Sequence, residues 1–351
     1  MCISSTQTRV EFGGGTEGVP QAIDDDRSLS GPHRVTARAP EVGDRVGRYV
    51  LEQRIGEGGM GVVWRAHDAE VGRRVALKFV RNHGGKVDAK QWSRLRREAQ
   101  ALARVRDGGV VGLYDMGHDA HGAWLALEHV HGLHLRRWLQ RRPRSPAQIV
   151  DVIARAADAL AAVHRAGLLH RDVKPTNLLV CEGREHGDAE ALVDRVVLVD
   201  FGLALGLSES DTVHGTPSEE EITLRTRLTH SNMIVGTTSY MSPEQLLGRE
   251  LDARCDIFSL CVTAYEALYA RRPFAGKTPY ELALTFDSGA PAAIPPRHGV
   301  GRHVERALRT GLALDPCDRF ASAAELAAAL RGGPRVRSFV PWLVSAAIGG
   351  L

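Results

Sequence analysis

The chain has 351 residues, 43% hydrophobic and 25% charged, with a formal net charge of +3. That is ordinary for a soluble globular protein with room for two lobes, and so even a balance excludes a nucleic-acid binder working through a concentrated basic face. The five cysteines (Cys2, Cys181, Cys255, Cys261 and Cys317) include no CxxC pair, which argues against a zinc site or disulfide framework and for a reducing compartment.

Residues 1–47 carry GGG, DDD and scattered Ser, Thr and Pro without a sustained apolar period, and read as a flexible tail. They show no basic start and apolar run of a secretory signal, so the folded region is expected in the cytoplasm. From Arg48 the runs RYVLEQRI, GVVWRAHD and RRVALKFV alternate with Gly-containing turns and predict an antiparallel sheet. Trp92, Leu95, Ala99, Leu102 and Val105 then recur at helical spacing. Ser145 and Pro146 make a helix start. Ile149, Ile153, Ala156, Leu160 and Val163 form its buried stripe, and Gly167 its stop. Helical segments follow around Leu260–Leu268, Val304–Leu312 and Ala323–Leu330. The expectation is an α+β, bilobal chain: a small β-rich lobe over residues 48–128 and a larger helical lobe over 132–331.

IGEGGMGVV (Ile55, Gly56, Glu57, Gly58, Gly59, Met60, Gly61, Val62, Val63) has GxGxxG spacing. Glycines there let backbone N–H groups approach phosphates with no Cβ in the way. A dinucleotide site would need a helix next, whereas β-prone VVWRAH follows, so the loop is expected to join two strands. On the next strand, VALK sets Lys78 among apolar neighbours, with its head free to reach a phosphate. Glu98, on the first helix, could hold Lys78 as an ion pair or merely balance the helix arginines, and the pair is the preferred reading. HRDVKPTN, residues 170–177, is the strongest signal.

With DFG at 200–202 and SPE at 242–244, these motifs make residues 49–331 resemble the Hanks-type protein kinase superfamily, most closely its bacterial serine/threonine branch. The resemblance implies transfer of the ATP γ-phosphoryl group to Ser or Thr hydroxyls of proteins, with Mg²⁺. Asp172 would take or orient the hydroxyl proton, Lys174 neutralise the transferring phosphate, and Asn177 and Asp200 hold the metal. Leu127, Glu128 and Val130 would form the hinge between the lobes, with backbone groups of Glu128 and Val130 meeting the adenine edge under a roof of Ile55, Val63 and Ala76. His170, Phe201 and Leu102 would pack in a column between the lobes. Asp256 would hold the catalytic-loop backbone, and Glu244 would pair with Arg319. Cys261 stands where glycine is commoner in the family. Thr237 matches the threonine near the catalytic pair, and Thr238 replaces a proline the family often has. Small-molecule kinases of related fold lack the GT–SPE segment, and pseudokinases lose one of Lys78, Asp172, Asn177 or Asp200.

Between Asp200 and Glu244 lies an acidic, hydroxyl-rich insertion, SESDTVHGTPSEEE, and a second insertion lies between Asn177 and Asp200. Thr229 and Ser231 sit where bacterial relatives carry activating hydroxyls, and a phosphate there would pair with Arg171, expected to carry an unmatched charge. His118, His121, His129, His131 and His134 could suggest a metal site, but without Cys or paired carboxylates the hinge reading is preferred. Arg136, Arg137, Arg141, Arg142 and Arg144 read either as a solvated helix end or as a docking surface for acidic segments. Residues 339–351 are uncharged and follow Arg331, Arg335 and Arg337. They read as the start of a membrane helix, anchoring the kinase at the inner membrane, or as an apolar tail packed on protein. A homodimer is left open.

Overall fold

The computed structural model describes residues 39–58, 61–80, 89–119, 121–183, 192–202, 238–276, 278–289 and 293–333. Gly59, Met60, Thr229, Ser231, Thr237, the insertion SESDTVHGTPSEEE, residues 184–191 of the second insertion and the run 339–351 lie outside the described residues.

Six strands form the first sheet: β1 (Arg45–Val46), β2 (Tyr49–Gly58), β3 (Gly61–Asp68), β4 (Arg73–Val80), β5 (Leu113–Asp119) and β6 (Gly122–Glu128). Their order is β1-β2-β3-β4-β6-β5, antiparallel throughout. The fold begins before Arg48. Val46 is fully buried in a small core with Tyr49, Leu51, Trp64, Val75, Leu77, Phe79 and Trp124, so residues 39–47 are not all tail. The β-period divides β4 between two environments. Val75, Leu77 and Phe79 face that small core, whereas Ala76 and Val80 join the main core. Lys78 lies between these two on the second face, which turns it inward.

Helix α1 (Ala89–Leu102) buries Leu95, Ala99 and Leu102, as the spacing predicts, while Trp92 and Val105 are partly buried. After the hinge come β7 (Leu133–His134), α2 (Leu135–Arg141) and α3 (Pro146–Arg165). Helix α3 opens with Pro146 in its first turn and a capping box in which Ser145 and Gln148 satisfy each other's backbone N–H. Its expected stripe is buried, and Gly167 follows the helix at φ +75°. Strands β8 (Leu178–Glu182) and β9 (Val193–Leu198) complete a three-stranded sheet, β7-β8-β9. Backbone bonds Val111 N→Leu198 O (3.1 Å) and Leu198 N→Gly109 O (2.8 Å) tie β9 to the approach of β5. The remaining helices are α4 (Pro243–Leu246), α5 (Ala253–Tyr269), α6 (Pro279–Asp287), α7 (Arg302–Gly311) and α8 (Ala323–Leu330). One continuous core runs from α1 and the sheet through α3, α5, α7 and α8. The expected site residues Asp172, Lys174, Asn177 and Asp200 therefore sit on loops between packed elements, with Lys78 on β4 and Glu98 on α1.

Candidate active site

The glycine-rich segment is a strand-to-strand hairpin. Gly58 pairs with Gly61, Glu57 with Val62 and Gly56 with Val63, and Gly61 takes φ +144°, which only glycine adopts readily. Val63 lies opposite Lys78 across β3–β4, and Ala76 opposite Leu127 across β4–β6. This places the hairpin, the lysine and the hinge along one edge of the cleft. Ile55 is left exposed on the hairpin. Lys78 is 5% exposed, and its Nζ lies 3.3 Å from Asp200 Oδ1.

The loop 170–177 is held from beneath by one buried carboxylate. Asp256 on α5 accepts the backbone N–H of His170 (2.8 Å) and of Arg171 (2.7 Å), and lies 2.9 Å from His164 Nε2. Gln245 Nε2 donates to the Arg171 carbonyl at 2.8 Å. These bonds pin Arg171 at φ +63°, a left-handed conformation unfavourable to a long side chain. His170 is fully buried, its Nε2 3.0 Å from the Val199 carbonyl and its Nδ1 3.3 Å from the Asp172 N–H, which puts the ring proton on Nε2. Its ring lies 4.6 Å from that of Phe201, and burial depresses its pKa, so it packs neutral.

Asp172 receives three bonds in a pocket that is nearly closed. Lys174 Nζ lies 3.0 and 2.7 Å from its two carboxylate oxygens, and Asn177 Nδ2 donates to its Oδ2 at 2.8 Å. A second bond from Asn177 Nδ2 reaches the Asp172 carbonyl, also at 2.8 Å. The Asn177 amide nitrogen is thus committed, and its carbonyl oxygen, which accepts the Thr176 hydroxyl at 3.4 Å, keeps a lone pair for a cation. Asp200, at φ +58°, presents its carboxylate to Lys78. The charge of Lys78 outweighs burial and holds the Asp200 pKa below the usual carboxylate range. Two oxygen donors of this kind suit a hard divalent ion.

Two expectations need correction. The Lys78–Glu98 pair is not formed. Asp200 takes the lysine, and Glu98 Oε1 lies 3.9 Å from both Arg94 and Arg171. Arg171 accordingly does not stand with an unmatched charge. At the hinge, the Glu128 N–H donates to the Gly112 carbonyl (2.8 Å), and its carboxylate is clamped by both terminal nitrogens of Arg195, at 2.5 and 3.0 Å. That clamp lowers the Glu128 pKa more than burial raises it. Val130 packs on the main core. His129 and His131 meet edge to face at 4.6 Å, and no group of three metal-ligating side chains occurs among the described residues.

A family model described as the protein kinase domain matches residues 49–326. The chain belongs to the protein kinase family. Among curated relatives, the serine/threonine-protein kinase PknL of Mycobacterium tuberculosis is 34% identical over 286 residues, covering 81% of this chain and 65% of its own length. PknA of the same organism is 33% identical over 307 residues, covering 85% of this chain and 64% of its own. The chain thus spans just under two thirds of these relatives. The crystal structure of the M. tuberculosis PknI kinase domain matches with a TM-score of 0.57 at 23% identity, over 84% of this chain and 99% of that one, which shows the shared fold.

Further supports of the kinase fold stand where expected. Arg319 makes a bidentate pair with Glu244 (2.6 and 2.9 Å) and donates to the carbonyls of Ala313, Leu314 and Arg254. Cys261 is buried against Gly311, where a Cβ would come within 2.2 Å of its sulfur, so the glycine makes room for the thiol. Thr238 is buried at the start of a short 3₁₀ turn, Thr238–Tyr240. No helix among the described residues is long and apolar enough to cross a membrane.

The buried loop support predicts an acid limb in stability. Burial alone would raise the Asp256 pKa, but His164, through its hydrogen bond and charge, together with His170 brings it below the ordinary value. A carboxylate depressed in the fold stabilises above its unfolded pKa of ~3.9 and loses that contribution as pH falls through its lower folded value. His170, depressed by burial, acts in the same direction at higher pH, because below ~6.5 the unfolded chain takes up its proton first. Thermal midpoints should therefore be highest above about pH 7, slip below ~6.5 and fall steeply below ~4. A midpoint constant from pH 7 down to 4 would contradict this reading of His170.

Proposed function

We propose that this chain is a serine/threonine protein kinase that transfers the γ-phosphoryl group of ATP to protein hydroxyls, including its own. The observation that carries this is the Asp172 carboxylate, held by Lys174 and Asn177 on a loop pinned by Asp256. The acceptor hydroxyl would place its proton on Asp172 as its oxygen bonds to phosphorus, and the bond from that phosphorus to the ADP oxygen breaks. Lys174, 2.7 Å from Asp172, stands ready to neutralise charge on the phosphoryl oxygens. Asn177 and Asp200 would hold Mg²⁺, which screens the phosphates when bound. Lys78 would exchange Asp200 for the nucleotide phosphates, leaving the Asp200 oxygens to the metal.

One experiment tests this reading and a second tests its regulation. Lys78→Met should lower transfer to a generic protein substrate by about a hundredfold or more, and a near-normal rate would reject the assignment. Phosphorylation of Thr229 or Ser231 should raise activity by drawing Arg171 away from Glu98, since a phosphate brings nearly two charges. Thr229→Ala/Ser231→Ala should then be several-fold less active after phosphatase and ATP treatment. Equal activity would remove this regulation and leave the enzyme reading untouched.

A further inference from the structure

The arginine run of the sequence divides in the fold. Arg142 and Arg144 turn to Glu182 on β8, at 3.2 and 2.8 Å, and Trp138 Nε1 donates to the same oxygen at 2.8 Å. Arg144 also stacks over the Trp138 ring at 3.9 Å. Arg136 donates to the Tyr240 hydroxyl (3.1 Å) and lies 3.8 Å from Glu266. These three arginines brace α2 against its neighbours. Arg137 and Arg141 do not. Both are exposed, one helical turn apart, and neither makes an ion pair among the described residues. Helix α2 carries no acidic residue. With Leu133 and Gln140, these two arginines line a concavity of about 480 Å³.

Like charges at i and i+4 repel, so this face gains from an anion laid across it. Its position gives the anion a source. His134, at the foot of α2, pairs with Leu179, two residues past Asn177. Arg136 touches the turn that leads into SPE. The neighbouring acids Glu182 and Glu266 are already taken, Glu182 by Trp138, Arg142 and Arg144 and Glu266 by Tyr240 and Arg136. Arg137 and Arg141 lie about 5 and 10 Å beyond His134 along the helix, a reach that an extended peptide covers in roughly two or three residues.

We infer that α2 is a docking surface for a carboxylate-rich segment of the protein substrate, received by Arg137 and Arg141 beside the half-buried Leu133. The word substrate rests on the kinase reading, but the surface can be tested by binding alone. The probe is a short fluorescein-labelled peptide holding one Thr and a run of Glu, with a counterpart in which every Glu is Gln. By fluorescence anisotropy at low salt, the full chain should bind the Glu peptide about tenfold more tightly than the Gln peptide, an advantage that fades as ionic strength rises. Arg137→Glu/Arg141→Glu should abolish the preference, and Arg137→Lys/Arg141→Lys should keep most of it. In phosphorylation assays, charge reversal should raise KM for the Glu peptide about tenfold, with kcat and the KM for ATP unchanged. Equal binding of the two peptides, or a preference that survives charge reversal, would reduce these arginines to a solvated helix end. The expected binding pattern without phosphorylation of either peptide would leave the surface standing and remove the enzyme reading.

Discussion

Asp172→Asn is expected to lower phosphoryl transfer by about a thousandfold while nucleotide affinity stays near that of the wild-type chain. The replacement keeps the shape and can still meet Lys174 and Asn177. It loses the anion that Lys174 faces at 2.7 and 3.0 Å and the atom that would receive the hydroxyl proton. In the proposed reading the nucleotide would meet other elements: the glycine-rich hairpin, Lys78 on β4 and the hinge at Glu128 and Val130. Steady-state phosphorylation beside nucleotide titration separates the two effects. A variant that transfers within tenfold of wild type would show that Asp172 is not the base. One that also loses nucleotide binding would show that the substitution deforms the loop.

Arg319→Met is expected to cost about 3–5 kcal/mol of stability, because it strands a buried carboxylate. The Arg319 side chain is fully buried and that of Glu244 is 7% exposed. The guanidinium also serves three backbone carbonyls and lies over the Phe258 ring at 4.8 Å. For a chain of this size the cost corresponds to a fall in melting midpoint of roughly 4–8 °C. Adding Glu244→Leu should recover part of the loss, since no lone charge is then left inside. A single variant that melts within about 2 °C of wild type would mean that water reaches Glu244 in the fold.

Most of the architecture and the local geometry of the loop 170–177 were legible in the sequence, and the reasons are local. Helix α3 declares itself through Ser145, Pro146 and a stripe at helical period, and the hairpin through its glycines between β-prone runs. HRDVKPTN places Asp172, Lys174 and Asn177 within six residues of one another, so the loop's own geometry brings them together. Partner choice among charges far apart in sequence was not legible. Glu98 can reach several cations, and which it meets depends on how α1 sits against the loop carrying Arg171. Lys78 goes to Asp200 because a left-handed backbone at Asp200 aims its carboxylate there. Arg195 clamps Glu128 from a strand 67 positions away, and no periodicity announces such a pair. The start of the fold was not legible either, since Val42 and Val46 are isolated valines in the polar stretch EVGDRVGR and only the sheet shows which one is buried.

The most direct test of the central claim is a phosphosite map of the purified full chain after incubation with γ-labelled ATP, Mg²⁺ and a generic protein substrate, with Asp172→Asn run beside it. The account predicts label on Ser and Thr of both proteins, and almost none with the variant. Label confined to tyrosine, or equal labelling by wild type and Asp172→Asn, would contradict it.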